Sequence, residues 1–350
     1  MNASLFLLAA AAFFTLLIVL GWRLLPGDRY QILASVPVTP QEGNRWRGIN
    51  FTAYGALTAS AILIALVFVL ILTTAAGAAI APVATLMVLI FALCLPAARL
   101  VARLVEKKHH TFTIGGAFCC GLAATPLLIL LVNGGCLLLG APQLDLQMTL
   151  AALAIGSILG EGLGRLACIS FGCCYGKPLH QCGGLATLLL RRLAFVFSAA
   201  TKKAVYEGGL AGVPLVPIQG LTCLLYTATA LIACHFFLQG QYRTALLLSL
   251  LVSQGWRVIS EMFRADFRGF TAISAYQKMS LAAIVYAGGL SLLPGPSQPS
   301  LPDIALGLGL LLNPGLLLCL QLLWLLLFYT FGRSMVTEAT LSFTVRQDRI

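Results

Sequence analysis

Two groups of charged residues set in apolar sequence are the first that could do chemistry. Glu161 and Arg165 stand four apart in one run, close enough to pair on one helix face. About 90 residues later, Arg257, Glu261, Arg264 and Arg268 recur at i, i+4, i+7 and i+11, one stripe of a second helix. Charge in hydrocarbon is costly and marks function by default. Arginines from two helices at one depth suit a phosphate, because guanidinium offers fixed bidentate donors without changing its protonation. The carboxylates would orient them, Glu161 on Arg165 and Glu261 on a neighbouring arginine. The competing use is snorkelling toward the headgroups, and it weighs most for Arg264 and Arg268.

After Gly164-Arg165 the chain reads LACISFGCCYGKPLHQC. Gly172 and Gly176 bracket Cys173, Cys174 and Tyr175 and would let the backbone turn tightly as the helix leaves the membrane. Three uses of Cys168, Cys173 and Cys174 remain open. One is metal ligation with His180 and Cys182, although adjacent cysteines do not match the paired spacing of structural zinc sites. A second is a thiol activated beside Arg165 and Lys177. The third is structural, the cysteines shaping a pocket and a turn. His180 is the histidine nearest the cluster and a candidate general base, along with Cys173, Cys174 and Glu261. His109 and His110 read as interfacial polar residues, and His235 as a lone intramembrane histidine. Gly115 and Gly116 could bring backbone donors to an anion or allow helices to pack closely, and Gln219 adds one amide to the same face.

The elements that must position these residues follow from composition. Only 9% of the 350 residues are charged and 59% are apolar, at a net charge of +11. Mean hydropathy is +0.95. Thirty-three charges cannot cover a soluble body of this size, which excludes a soluble enzyme, a disordered chain and a disulfide scaffold. The expectation is an all-α, polytopic transmembrane bundle of about nine spans, with seven to nine as the range. They fall at roughly 3–22, 52–75, 78–98, 113–139, 148–171, 210–238, 244–263, 275–293 and 304–331. Nine spans put the segments 23–51, 99–112, 172–209 and 264–274 and the C-terminal tail on one face. That face carries 18 of the 22 Lys and Arg residues, which places it in the cytoplasm with the N-terminus outside and the C-terminus inside. Three parts are expected: N-terminal helices over 1–110, a catalytic membrane domain over 111–293 with an interfacial loop at 172–209, and a C-terminal helix and tail over 294–350. The basic balance is assigned to anionic lipid rather than nucleic acid.

The run from Gly164-Arg165 through Cys168 to Gly172-Cys173-Cys174-Tyr175-Gly176-Lys177-Pro178 resembles the signature of the prolipoprotein diacylglyceryl transferase family, especially paralogues bearing GCCYG. Gly115-Gly116, Pro217-x-Gln219 and Arg257-x-x-x-Glu261-x-x-Arg264 follow in the family's order, so the resemblance covers roughly 110–290. It implies transfer of the diacylglyceryl group of phosphatidylglycerol to a lipobox cysteine thiol, with release of glycerol phosphate. Arg165 and Arg257 would contact the donor phosphate, with Glu261 and Arg264 supporting them. Gly115, Gly116, Cys168, Tyr175, Lys177, Glu161 and Gln219 would line the substrate site. The chain departs from the pattern: Ile114 stands at the family's histidine, Cys168 at its asparagine, Cys173 at its acidic residue and Leu221-Thr222 at its Tyr-Glu. The family also has seven spans and an outward-facing site, against nine spans and an inward charge bias here.

The expected function is therefore an inner-membrane, phospholipid-dependent transferase of lipoprotein-biosynthesis type. Its donor would be a membrane phospholipid, its acceptor a thiol, hydroxyl or amine. No metal or cofactor is required. A lipid-facing cleft between the 148–171 and 244–263 helices would admit the donor. The alternative is a lipid or amphiphile transporter that moves its substrate unmodified. Few intramembrane carboxylates argue against metal-dependent phosphoryl transfer.

Overall fold

The computed structural model describes residues 2–106, 114–266, 273–295 and 301–350. His109, His110 and Arg268 lie outside these residues. The chain begins with α1 (Ala3–Leu24), whose first turn is capped by the Asn2 side chain on the Leu5 N–H. A hairpin follows, β1 (Ile32–Gln41) and β2 (Arg45–Thr52). Next come α2 (Ala53–Ala75), α3 (Ile80–Glu106), α4 (Ile114–Leu138) and α5 (Leu146–Phe171). The segment after α5 holds two short helices, α6 (Gly184–Leu190) and α7 (Lys203–Tyr206). Then α8 (Ile218–Leu238), α9 (Tyr242–Glu261) and α10 (Ala275–Ser291) complete the middle of the chain. A short α11 (Ile304–Gly309) precedes α12 (Pro314–Gly332), which runs into β3 (Arg333–Ser342).

Among the described residues, seven helices are long and apolar enough to cross a membrane: α1 to α5, α8 and α12. Helix α9, with 20 residues, carries too much polarity to qualify by composition, and α10, with 17, is short. Both nonetheless traverse the bundle. The end of α9 lies beside the end of α5, because Arg257 reaches Glu161. The end of α10 lies beside the start of α5, where the Gln147 amide donates to the Ser291 and Leu293 carbonyls at 3.5 and 3.3 Å. The protein is an all-α, multi-pass helix bundle.

Helix α5 is the centre. It packs on α2, α8 and α9, and 67% of its apolar window is buried against 11% for α12. Glycine makes these contacts possible: a Cβ at Gly156 or Gly160 would strike Val69 or Ala65 of α2, and one at Gly162 would strike Tyr226 of α8.

Three boundaries differ from the sequence reading. The span expected at 210–238 starts at Ile218, because Pro214 and Pro217 hold the preceding residues extended; Leu215 there pairs with Pro178 and Phe195. The span expected at 304–331 is broken, with α12 beginning at Pro314 behind an Asn313 cap. The third difference is a three-stranded antiparallel sheet in order β1-β2-β3, where loop and tail were expected. Arg47 of β2 pairs with Glu338 of β3 at 3.0 Å. The sheet puts segments from both ends of the chain on one face. The Gln31 amide, donating to the Thr201 carbonyl at 2.9 Å, ties that face to the 172–217 segment.

Candidate functional site

Glu161 sits in the second half of α5 with its side chain 6% exposed. Arg165, one turn later, donates from Nη2 to its carboxylate at 2.8 Å. Arg257 of α9 donates from Nη2 to both carboxylate oxygens. One carboxylate thus holds two guanidinium groups from two helices, which is how the bundle tolerates three charges at that depth. Arg257 also lies 5.6 Å from the Phe118 ring of α4. Gly115 makes room for it, since a Cβ there would come within 3.0 Å of Arg257 Nη1 and 2.9 Å of the Tyr276 ring. Gly116 allows close packing, since a Cβ there would strike Val101 of α3. Neighbouring helices are held in place by Tyr226, whose hydroxyl donates to the Ser253 carbonyl at 2.6 Å, and by Trp256, whose Nε1 donates to Thr222 at 2.8 Å.

Helix α5 ends at Gly172, which adopts the left-handed conformation (φ 72°) that glycine reaches at little cost. The Cys173 N–H then closes back on the Cys168 carbonyl, and Cys174 is itself left-handed at φ 54°, a rare state for a residue with a side chain. The following residues are pinned on both sides. The Lys177 N–H donates to the Phe263 carbonyl and the Ala265 N–H to the Tyr175 carbonyl, while the Val216 N–H donates to the Lys177 carbonyl. Gly176 is required by this pinning rather than by a turn, because a Cβ there would collide with the Val216 carbonyl. The Gln219 amide donates to the Cys173 carbonyl at 2.9 Å and fixes the cysteines from the α8 side.

The expected arginine stripe on one helix is therefore cut. Helix α9 stops at Glu261, and Arg264 lies in an extended segment bridged to Gly176. Its guanidinium makes a bidentate pair with Asp266, 2.8 Å from Nε and 2.7 Å from Nη2. Asp266 was not foreseen, since at two residues' spacing it carries no helical signal. The competing strand contact to the Tyr175-Gly176-Lys177 segment is what ends the helix.

These pieces enclose a small polar cavity lined by Arg165, Cys174, Ile218, Gln219, Thr222, Ser260 and Arg264. It is bounded by α8 as well as by the two helices expected to form the cleft. His180 and Lys177 are exposed and are not among its lining residues. Tyr175 is buried and acts as an anchor for the loop. Glu261 is partly buried at the end of α9. Two donors beside the Glu161 carboxylate, Nε of Arg165, which lines the cavity, and Nε of Arg257, which does not, are buried without a hydrogen-bond partner among the described residues. Buried donors of this kind are rare, and a guanidinium N–H left without an acceptor is costly.

The three cysteine sulfurs, of Cys168, Cys173 and Cys174, lie within 4.8 Å of one another. Hydrogen bonds from the Cys168 and Cys173 thiols, then the charges of Arg264 and Arg165, hold the Cys174 thiol well below the ordinary thiol range. The Cys173 thiol is pushed the other way by its sulfur neighbours and by burial. Metal ligation by these three was one of the open sequence readings; the convergence depends on the left-handed pair at Gly172 and Cys174, and His180 and Cys182 are not in the group.

Fold and site together define a multi-pass membrane protein with an arginine-rich, carboxylate-braced cavity at one end of its central helices. The family described as prolipoprotein diacylglyceryl transferase has a model that matches residues 45–293, and the chain belongs to that family. It is a membrane transferase of the diacylglyceryl type. No curated protein matches the sequence.

Proposed function

We propose that the protein transfers the diacylglyceryl group of an anionic glycerophospholipid, phosphatidylglycerol, to a thiol, hydroxyl or amine acceptor. The observation that carries this is the pair of buried, unpartnered arginine Nε donors at Arg165 and Arg257 around Glu161. A phosphate oxygen supplies the acceptor they lack. Arg165 and Arg264 wall the cavity where that phosphate would sit, and Glu161 and Asp266 orient the guanidinium groups.

In the reaction, the acceptor atom bonds to the terminal glyceryl carbon as that carbon's bond to the phosphate oxygen breaks. Glycerol phosphate leaves with the electron pair, and the arginines stabilise the charge that grows on it. Among the candidate bases Cys174 is the one that borders the cavity, so the acceptor enters beside it. The charge bias supports an inward-facing site in the plasma membrane, and a cysteine-accessibility map of the sheet-bearing face decides the sidedness.

The test is mass spectrometry of lipids from cells with and without the protein, and with Arg165→Ala or Arg257→Ala. Loss of a lipid-derived product in both variants, at normal expression, is expected. Full turnover in either variant overturns the mechanism. An unchanged lipid inventory with altered sidedness would identify a transporter instead.

A further inference from the structure

We propose that Cys168, Cys173 and Cys174 hold a zinc ion whose fourth position opens toward the cavity and receives an acceptor thiol. The proposal rests on the transferase reading for its purpose, and on the sulfur geometry for its existence. Zinc–thiolate bonds of about 2.3 Å in a tetrahedral site place sulfurs about 3.8 Å apart, so sulfurs already within 4.8 Å need only a small contraction. The donor set is all sulfur, which selects a thiophilic ion. Three protein ligands with one open position is the pattern of catalytic rather than structural zinc. The described residues add no fourth histidine, cysteine or carboxylate to the cluster.

The backbone around the cluster is committed to this arrangement. Cys168 sits on the last turn of α5, and the left-handed Gly172 and Cys174 fold the next two sulfurs back over it. The Gln219 amide holds Cys173, and the contacts of residues 175–177 to 263–265 and 216 hold the rest. Charge is also matched. Three thiolates and a zinc ion leave one negative charge, and Arg165 and Arg264 line the adjoining cavity.

The open position supplies the deprotonation that Cys174, the candidate base bordering the cavity, could not provide while it serves as a ligand. The exposed His180 is not among the residues lining the cavity. A thiol that binds zinc loses its proton to water and becomes a thiolate at neutral pH. That sulfur would lie beside the arginine-held phosphate. It attacks the glyceryl carbon, the sulfur–carbon bond forms as the carbon–oxygen bond breaks, and the thioether, a weaker ligand, departs.

The experiment uses the purified full-length protein in detergent, loaded with zinc or with cobalt(II) as a spectroscopic substitute. About one metal per chain is expected, with thiolate-to-cobalt charge-transfer absorption. Both should be lost in Cys173→Ser and kept in Cys182→Ser. Adding a small alkyl thiol should shift the cobalt spectrum as it fills the open position. If Cys173→Ser does not fold, thiol titration of the native protein replaces it: zinc should protect about three cysteines from a disulfide reagent. Absence of stoichiometric metal, metal retained in Cys173→Ser, or no protection by zinc overturns the site. A cobalt spectrum indifferent to added thiol overturns the open position. Arg165→Ala separates this from the transferase reading: it should keep the metal and the thiol response while losing lipid turnover. Retained turnover there condemns the phosphate clamp and leaves the metal site standing.

Discussion

Glu161→Gln tests the centre of the site most directly, because the carboxylate holds both arginines whose unused Nε donors would bind the phosphate. The wild-type side chain is 6% exposed and accepts from Arg165 and from Arg257. An amide keeps the shape but removes the charge, and one of its two ends can only donate. Breaking a buried ion pair by neutralising one partner costs about 3–5 kcal/mol. The amide oxygen still accepts from one guanidinium, so the lower end, about 3 kcal/mol, is expected. Denaturant unfolding in a mild detergent would measure it. A double-mutant cycle with Arg257→Gln should then recover at least about 1 kcal/mol, since the second change removes the stranded cation. The second readout has the opposite sign. Glycerol phosphate should stabilise Glu161→Gln more than wild type, because a phosphate on the same arginines is repelled by the resident carboxylate and not by the amide. A loss under about 0.5 kcal/mol would show that the pairing contributes nothing. Equal stabilisation of both proteins by glycerol phosphate would refute the idea that carboxylate and phosphate share the same arginines.

Three further outcomes follow from the geometry. Gly176→Ala should abolish a stable fold or lower the unfolding midpoint sharply, because its Cβ meets the Val216 backbone rather than a movable side chain; a variant of native stability would show that the loop is free to shift. Tyr226→Phe removes the hydroxyl that donates to the Ser253 carbonyl and should cost about 1–3 kcal/mol in denaturant unfolding, with no change in the metal or thiol response. Lys202 is fully buried, donates to the Ser170 and Leu25 carbonyls at 2.7 and 3.1 Å, and is pushed down to about 8 by burial. Since its folded value lies below the unfolded one, the unfolded chain holds more protons between about pH 8 and 10.5, so stability rises with pH across that window. Wild type should therefore exceed Lys202→Met in melting temperature by a margin that widens from pH 8 to pH 10, and a margin that narrows contradicts the burial argument.

Sequence pattern went furthest where one helix decided the outcome. Apolar length placed the helices, and the four-residue spacing of Glu161 and Arg165 foretold an ion pair seen at 2.8 Å. The rule failed where two distant segments compete for the same backbone. Helical periodicity carried Arg264 onto α9, but the Phe263 and Ala265 backbone is taken by Lys177 and Tyr175, and the helix ends at Glu261. A contact on the other side of that loop, with Val216, hides the purpose of Gly176, which reads as a turn residue and acts as a close-approach point. The sheet was invisible for a different reason. Pro37 and Pro40 interrupt β1, and its partner β3 lies at the other end of the chain. Cysteine spacing admitted the cluster as one of three uses but could not select it, because a left-handed residue that is not glycine has no sequence signature.

The resting site has a consequence for how a donor must enter. Arg165 and Arg257 are both paired with the one Glu161 carboxylate, which leaves a single excess positive charge, and Arg264 is paired with Asp266. A bundle can keep such charges in hydrocarbon only while they are paired. An anionic headgroup therefore does not enter an empty cationic pocket. It adds its oxygens to the Nε donors that the carboxylates leave unused, with Glu161 still in place. The cavity that receives it is bounded by Gln219 and Cys174, both fixed by the loop that α5 turns into. Donor recognition and acceptor placement thus depend on one short segment, Gly172 to Lys177, and on the backbone contacts that hold it against α8 and the end of α9.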